Sequence, residues 1–116
     1  MLVAVDLDGT IDSEPTTMQA LLTALKAAGH TVVVATGTAD GEVTPEDTIA
    51  KAEYLQSLGC AECYDQIVVF AEPHDENKAE WLKANHADLL IDNNKSNAKA
   101  AAGICPVLVP WQTRKS

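Results

Sequence analysis

Two acids stand two positions apart in the opening stretch Val3-Ala4-Val5-Asp6-Leu7-Asp8-Gly9-Thr10, directly after an apolar run and directly before a glycine. In extended backbone that spacing directs both side chains to one side, and Gly9 lets the chain turn away sharply. Carboxylates this close repel, so either a cation lies between them or one keeps its proton. Both states suit phosphoryl transfer. One carboxylate can attack phosphorus and form an acyl phosphate while Mg²⁺ cancels charge, and the other can hold a proton for the leaving oxygen. The same pair also suits a plainer job, forming a turn and capping a helix.

Further along, Thr36 closes the run "VVVAT" and is followed by Gly37, where the absent side chain lets backbone approach a ligand. Threonine also commonly ends a strand with no further role. Lys78 falls in the first turn of a helix that opens at Asp75, where a cation opposes the macrodipole by about 0.3–1 kcal/mol. A bound phosphate would offset that cost; a solvated surface lysine is the alternative. Lys83 is a rival donor but lies too far along the helix to share the strand-end plane. Asp92 follows the run "LLI". It can cap the next helix, but Asn93, Asn94 and Ser96 offer the same service, so an acid is not needed for that. His74 precedes Lys78 and reads as an exposed loop histidine, with a second reading as a cation near substrate below neutral pH.

The elements that must position these residues alternate. Short apolar runs cover Leu2 to Val5, Thr31 to Ala35, Ile67 to Phe70, Leu89 to Ile91 and Val107 to Val109. Most are unbroken, as suits strands buried on both faces of a parallel sheet. Between them lie four helical patterns. The first starts near Pro15, carries Met18, Leu21, Leu22 and Leu25 on one face and stops at Gly29. The second opens on Thr44-Pro45-Glu46-Asp47, an N-cap, a first-position proline and first-turn acids, and turns Ile49, Ala52, Leu55 and Leu58 inward. The third runs from Asp75 to about Ala84 with Ala79 and Leu82 inward, and the fourth from about Lys95 to Gly103. This alternation predicts a three-layer α/β/α sandwich, a five-stranded, mostly parallel sheet with right-handed crossovers, in one domain over residues 1–116. Ligands of such sheets bind beyond the carboxyl ends of the strands, where Asp6, Thr36 and Asp92 fall.

Composition narrows the partners. The chain carries 17 acids against 8 bases, a net charge of −9, which disfavours a broad nucleic-acid footprint. No apolar run approaches the roughly 20 residues of a membrane helix, and the start does not read as a signal peptide. Three cysteines fit a reducing compartment better than a disulfide framework, so a cytoplasmic location is expected. The pair Cys60-Ala61-Glu62-Cys63 follows a helix stop, the wrong place for a redox motif, and reads as buried or loop thiols. Trp81 and Trp111 read as packing residues.

The motif "DLDGT" after an N-terminal strand, with Thr36, Lys78 and "LLIDNN" in order behind it, resembles the four motifs of the haloacid dehalogenase superfamily of phosphohydrolases. The resemblance spans the whole chain. It implies Asp6 as nucleophile and metal ligand, and Asp8 as general acid and base whose backbone carbonyl ligates the metal. It implies Thr36 and the Gly37 amide as phosphate holders, Lys78 as the neutralising cation, Asp92 as a Mg²⁺ ligand and Thr10 as a prop for the loop. Asn93 departs from the pattern, which usually has a second acid there; its amide still offers an oxygen to the metal. Some members of this type use cysteines and a histidine for a structural zinc, a part for which Cys60, Cys63, Cys105, His74 and His86 are the available residues.

Neither of the two places where relatives insert a lid is long enough to hold one, which implies a capless member. Its open site would admit a phosphorylated small molecule or an exposed phosphoester on a larger substrate, or be covered by a second chain in an oligomer. The loop Gly37 to Asp47 is expected to overhang it. The expected function is therefore a Mg²⁺-dependent phosphomonoester hydrolase working through an aspartyl-phosphate. Two alternatives are a polynucleotide 3′-phosphatase-like activity, by likeness to the phosphatase half of phage-type polynucleotide kinases, and a non-catalytic phosphate-binding protein on the same scaffold. A signalling receiver domain has similar length, but it needs an Asp after the third strand, where this chain has Ala71-Glu72-Pro73.

Overall fold

The computed structural model describes residues 1–111. The chain alternates β1 (Leu2–Val5), α1 (Pro15–Ala27), β2 (Thr31–Gly37), α2 (Pro45–Ser57), β3 (Gln66–Phe70), α3 (His74–Ala84), β4 (Leu89–Ile91), α4 (Lys95–Ala101) and β5 (Val107–Leu108). The strands form one sheet in the order β3-β2-β1-β4-β5, and every neighbouring pair is parallel. The chain first builds outward on one side of β1, then crosses back to build on the other, so the order reverses between β1 and β4.

Period-two alternation divides the strands between two cores. Val3, Val5, Val32, Val34 and Ile91 face one side, against Met18 and Leu22 of α1 and Leu55 of α2. Ala4, Ala35 and Leu90 face the other, against Leu82 of α3 and Ala101 of α4. Each fully buried Leu, Val or Ile contributes about 1.5–3 kcal/mol relative to exposure. The helices start where their caps dictate: Thr44, just before Pro45, and Asp47 in the first turn form a capping box, and the Asn94 side chain accepts from the Asn97 backbone N–H.

Three helix faces differ from expectation. In α1 Met18 and Leu22 are buried, but Leu21 stands 40% exposed. In α2 only Leu55 is buried, and Ile49 stands 58% exposed, because only the second half of the helix lies over the sheet. In α3 the residues turned inward are Lys78 and Leu82, not Ala79 and Leu82. None of the helices among the described residues is long and apolar enough to cross a membrane.

Candidate functional site

Strand register brings two acids together. Val5 pairs with Ile91 across β1 and β4, so Asp6 and Asp92 are the next residues out on adjacent parallel strands. The Asp6 amide donates to the Ile91 carbonyl at 2.9 Å, and the Asp92 amide to the Leu108 carbonyl at 3.0 Å. By the two-residue period both acids continue the face covered by α3 and α4. Lys78 projects from that side of α3. Its ammonium donates to Asp92 Oδ2 at 2.8 Å and to Asp6 Oδ1 at 3.1 Å. All three are buried, with Lys78 1% and Asp92 0% exposed. An ammonium sealed from water costs several kcal/mol unless it is paired and hydrogen-bonded. Two carboxylates supply that pairing, so protein groups already meet the cost for which a bound phosphate had been invoked. Lys83 is exposed and takes no part.

The rest of the floor is hydrogen-bonded. Asp92 also accepts from the Asn97 side chain at 3.0 Å and from the Asn94 amide at 2.9 Å. Thr10, fully buried, donates to Asp6 Oδ2 at 3.3 Å and accepts from the Asn93 amide at 3.0 Å. Its carbonyl accepts from Trp111 Nε1 at 3.0 Å. Burial pushes the Asp6 carboxyl from 3.8 up to about 6; the Lys78 ammonium opposes the rise, and the neighbouring Asp92 and Asp8 add to it.

Asp8 lies elsewhere. The chain leaves β1 through a tight turn over Leu7–Ile11 in which Asp8 stays extended and Gly9 takes φ of 84°, a left-handed value suited to glycine. The turn lifts the Asp8 side chain, 57% exposed, to the rim. There it accepts from Lys51 Nζ of α2 at 3.0 Å and from Thr36 Oγ1 at 3.4 Å. Tyr54, one turn further along α2, donates to Asp12 of the same turn at 2.8 Å. The two acids of the opening motif thus part company: Asp6 joins Asp92 and Lys78 on the floor, and Asp8 stands at the rim, where it meets Lys51 and the hydroxyl of the buried Thr36.

A cavity of about 250 Å³ opens above the floor, lined by Asp6, Asp8, Gly37, His74, Lys78, Asn94 and Asn97. At Gly37 a Cβ would fall 2.8–2.9 Å from three atoms of the His74 ring, so the imidazole lies directly on the glycine. His74 is therefore no free loop residue: it starts α3, is half-buried, and its Nε2 lies 2.6 Å from the Thr38 carbonyl oxygen. Of the expected overhanging loop, only Gly37 lines this cavity.

Among the described residues no three Asp, Glu, His or Cys side chains stand close enough to hold a metal ion. Asp8 is the acid that is missing from such a group. The oxygens that remain still fit Mg²⁺ in kind, being hard donors. Asp6 and Asp92 supply carboxylates, and the buried side-chain oxygen of Asn93 has no hydrogen-bond partner. The Asn93 backbone N–H is held by Thr10, and a buried side-chain oxygen without a partner is an acceptor available to a cation or a donor.

The cysteines do not gather. Cys60 and Cys63 are free and buried with α1 and α2, whereas Cys105 belongs to the opposite core. Burial first, and Cys63 beside it, push the Cys60 thiol up to about 12, which leaves it protonated and inert at neutral pH. Trp81 packs edge-on to Phe70, with ring centroids 6.4 Å apart.

Three site partners carried no sequence signal of their own. Lys51 and Tyr54 reach the first turn only because α2 lies across it. Asn97 was legible only as one of several polar residues in "DNNKSN".

No family model and no curated protein matches this chain. Solved structures do. A protein from Corynebacterium glutamicum, described as uncharacterized, superposes with a TM-score of 0.65 at 17% identity, covering 97% of this chain and 86% of its own. A universal stress protein in complex with cAMP gives 0.57 at 21% identity, covering 94% of each chain. A universal stress protein family member from Burkholderia pseudomallei gives 0.54 at 19%, covering 92% of each. Likeness at this identity establishes a shared fold and transfers no activity. It corrects the expectation drawn from the motifs. The five-stranded parallel α/β architecture stands, but the matched structures that carry a family name are universal stress proteins. The assignment to the haloacid dehalogenase superfamily is therefore overturned. With it go the aspartyl-phosphate hydrolase, the polynucleotide 3′-phosphatase alternative, the non-catalytic protein on that family's scaffold and the enzyme class. Short motifs at strand ends recur across parallel α/β sheets because the sheet itself collects polar residues there, so four in order were weaker support than they looked.

Proposed function

We propose that this chain binds a small phosphorylated nucleotide, together with Mg²⁺, at the carboxyl end of its sheet. The observation that carries the reading is the cavity above the buried Lys78 ammonium, at the point where the strand order reverses between β1 and β4. Open α/β sheets bind ligands at that crevice. Gly37 and the His74 imidazole seated on it form one wall, and Lys78 is a point charge for a phosphate oxygen. The universal stress protein that shares the fold and is described with cAMP supports the same ligand class.

Charge decides the need for a metal. Asp6, Asp8 and Asp92 face two ammonium groups, Lys78 and Lys51. The site is thus net negative before a phosphate monoester adds about 1.5 to 2 further negative charges. Mg²⁺ supplies the missing positive charge, and Asp6, Asp92 and Asn93 are the residues that would hold it. A cytoplasmic setting accords with three unpaired thiols.

Isothermal titration calorimetry with orthophosphate and with AMP, each with and without Mg²⁺, tests the reading. Binding that strengthens on adding Mg²⁺ is expected. Silence from both ligands up to about 10 mM, with metal present, would overturn it, since that limit corresponds to less than about 3 kcal/mol of binding free energy.

A further inference from the structure

A second and larger cavity, about 500 Å³, adjoins the first between the starts of α3 and α4. The two share His74, Asn94 and Asn97 as lining residues, so they are compartments of one cleft. The volumes divide the labour. A ligand pocket for a drug-sized molecule occupies roughly 300–1,000 Å³. The compartment over Lys78, at about 250 Å³, falls short of that and suits a phosphate group. The larger one falls within it and suits a sugar and base.

The walls differ as the volumes do. The smaller compartment sets the Lys78 ammonium beside the acids Asp6 and Asp8; the larger has no basic residue beyond His74 to set against its acids Glu72 and Asp75. Asp75 accepts from Ser96 Oγ at 3.0 Å, which ties the start of α3 to the start of α4 across that compartment. Carboxylates, amides and a hydroxyl accept and donate to sugar hydroxyls, and Pro73 adds an apolar ring to the wall. The same acids repel any phosphate beyond the first. Phosphate and nucleoside therefore have separate places, and a polyphosphate chain has none.

Building on the nucleotide reading above, we infer that the ligand is a nucleoside monophosphate whose phosphate sits over Lys78 and whose sugar and base occupy the compartment lined by Glu72, Asp75 and Ser96. Selectivity then runs against chain length: AMP binds more tightly than ADP, and ADP more tightly than ATP.

Calorimetry on the full chain in Mg²⁺ buffer with orthophosphate, ribose 5-phosphate, AMP, ADP and ATP tests this without any substitution. Affinity should rise from orthophosphate through ribose 5-phosphate to AMP, by about ten-fold overall, which is 1.4 kcal/mol, and fall from AMP to ATP. The variant Ser96→Trp, at a position outside the phosphate compartment, should bring AMP down to the affinity of orthophosphate and leave orthophosphate unchanged. ATP binding more tightly than AMP, or AMP binding no better than orthophosphate in the unaltered protein, would overturn the inference while leaving the phosphate site intact. AMP affinity unaltered in a folded Ser96→Trp would do the same. Failure of orthophosphate itself to bind would instead remove the phosphate site, and the sugar compartment with it.

Discussion

The floor and the rim of the cleft are built from the same residue types and behave as opposites. On the floor, Lys78 lies between Asp6 and Asp92, all three buried. At the rim, Lys51 meets Asp8, whose side chain is 57% exposed. The contact distances are close, 2.8–3.1 Å on the floor and 3.0 Å at the rim. Distance therefore does not separate them; solvent does. Water and salt screen the rim pair, and an exposed pair contributes at most about 1 kcal/mol. On the floor each charge depends on the others, because removing one leaves its partners buried and uncompensated. Two lysine–aspartate contacts with similar geometry thus have different meanings, and the opening motif contributes one acid to each.

The largest expected effect tests the floor. Lys78→Met leaves Asp6 and Asp92 buried side by side with no cation, and should cost about 3–5 kcal/mol of stability at pH 7 by urea unfolding. A loss below about 1 kcal/mol would erase the distinction between floor and rim.

Next in size is a pH effect confined to the floor. Asp6 holds its proton more tightly in the folded chain, at about 6, than at its ordinary 3.8. Between those values the native state carries more protons than the unfolded state, so raising the pH lowers stability through this group. Its contribution is complete below about pH 4 and lost above about pH 6, an amount on the order of 3 kcal/mol. Unfolding curves from pH 4 to pH 7 in the presence of a chelator should therefore differ in slope between the unaltered protein and Asp6→Asn, which lacks this fall. Parallel curves would show that Asp6 is not held in the way described.

The smallest effect belongs to the rim. Lys51→Met should change stability by less than about 1 kcal/mol, and the difference should vanish at 1 M salt, where the screening length is about 3 Å. A larger, salt-insensitive loss would mean that α2 is fastened through this contact after all.

Much of this fold was legible beforehand because its determinants are local. The strands were visible as apolar runs, and the first and second helices as patterns punctuated by Pro15, Gly29 and Pro45. Where the reading slipped, tertiary packing had overruled the pattern. The sequence left Lys78 either in the site as its cation or solvated on the surface, and packing decided for the site, where carboxylates from two strands pair it. His74 was read as a loop residue, yet it begins α3 on a seat that only a glycine at position 37 allows. The family reading slipped for another reason. Its motifs described what a parallel sheet collects at its carboxyl end, and the structures that share the fold carry a different family name.

The sequence by itself determined that Asp6 and Asp92 would each stand just past a strand, at the carboxyl end of a parallel sheet, because the alternation of elements runs every strand the same way. That β1 and β4 pair, and so bring the two acids into one layer, came with the sheet order. Only the tertiary structure decided where Asp8 would go, which lysine would meet which acid, and that a second compartment would open between α3 and α4. Those outcomes depend on how a turn bends and where helices from distant parts of the chain come to lie, and no local pattern of residues encodes either.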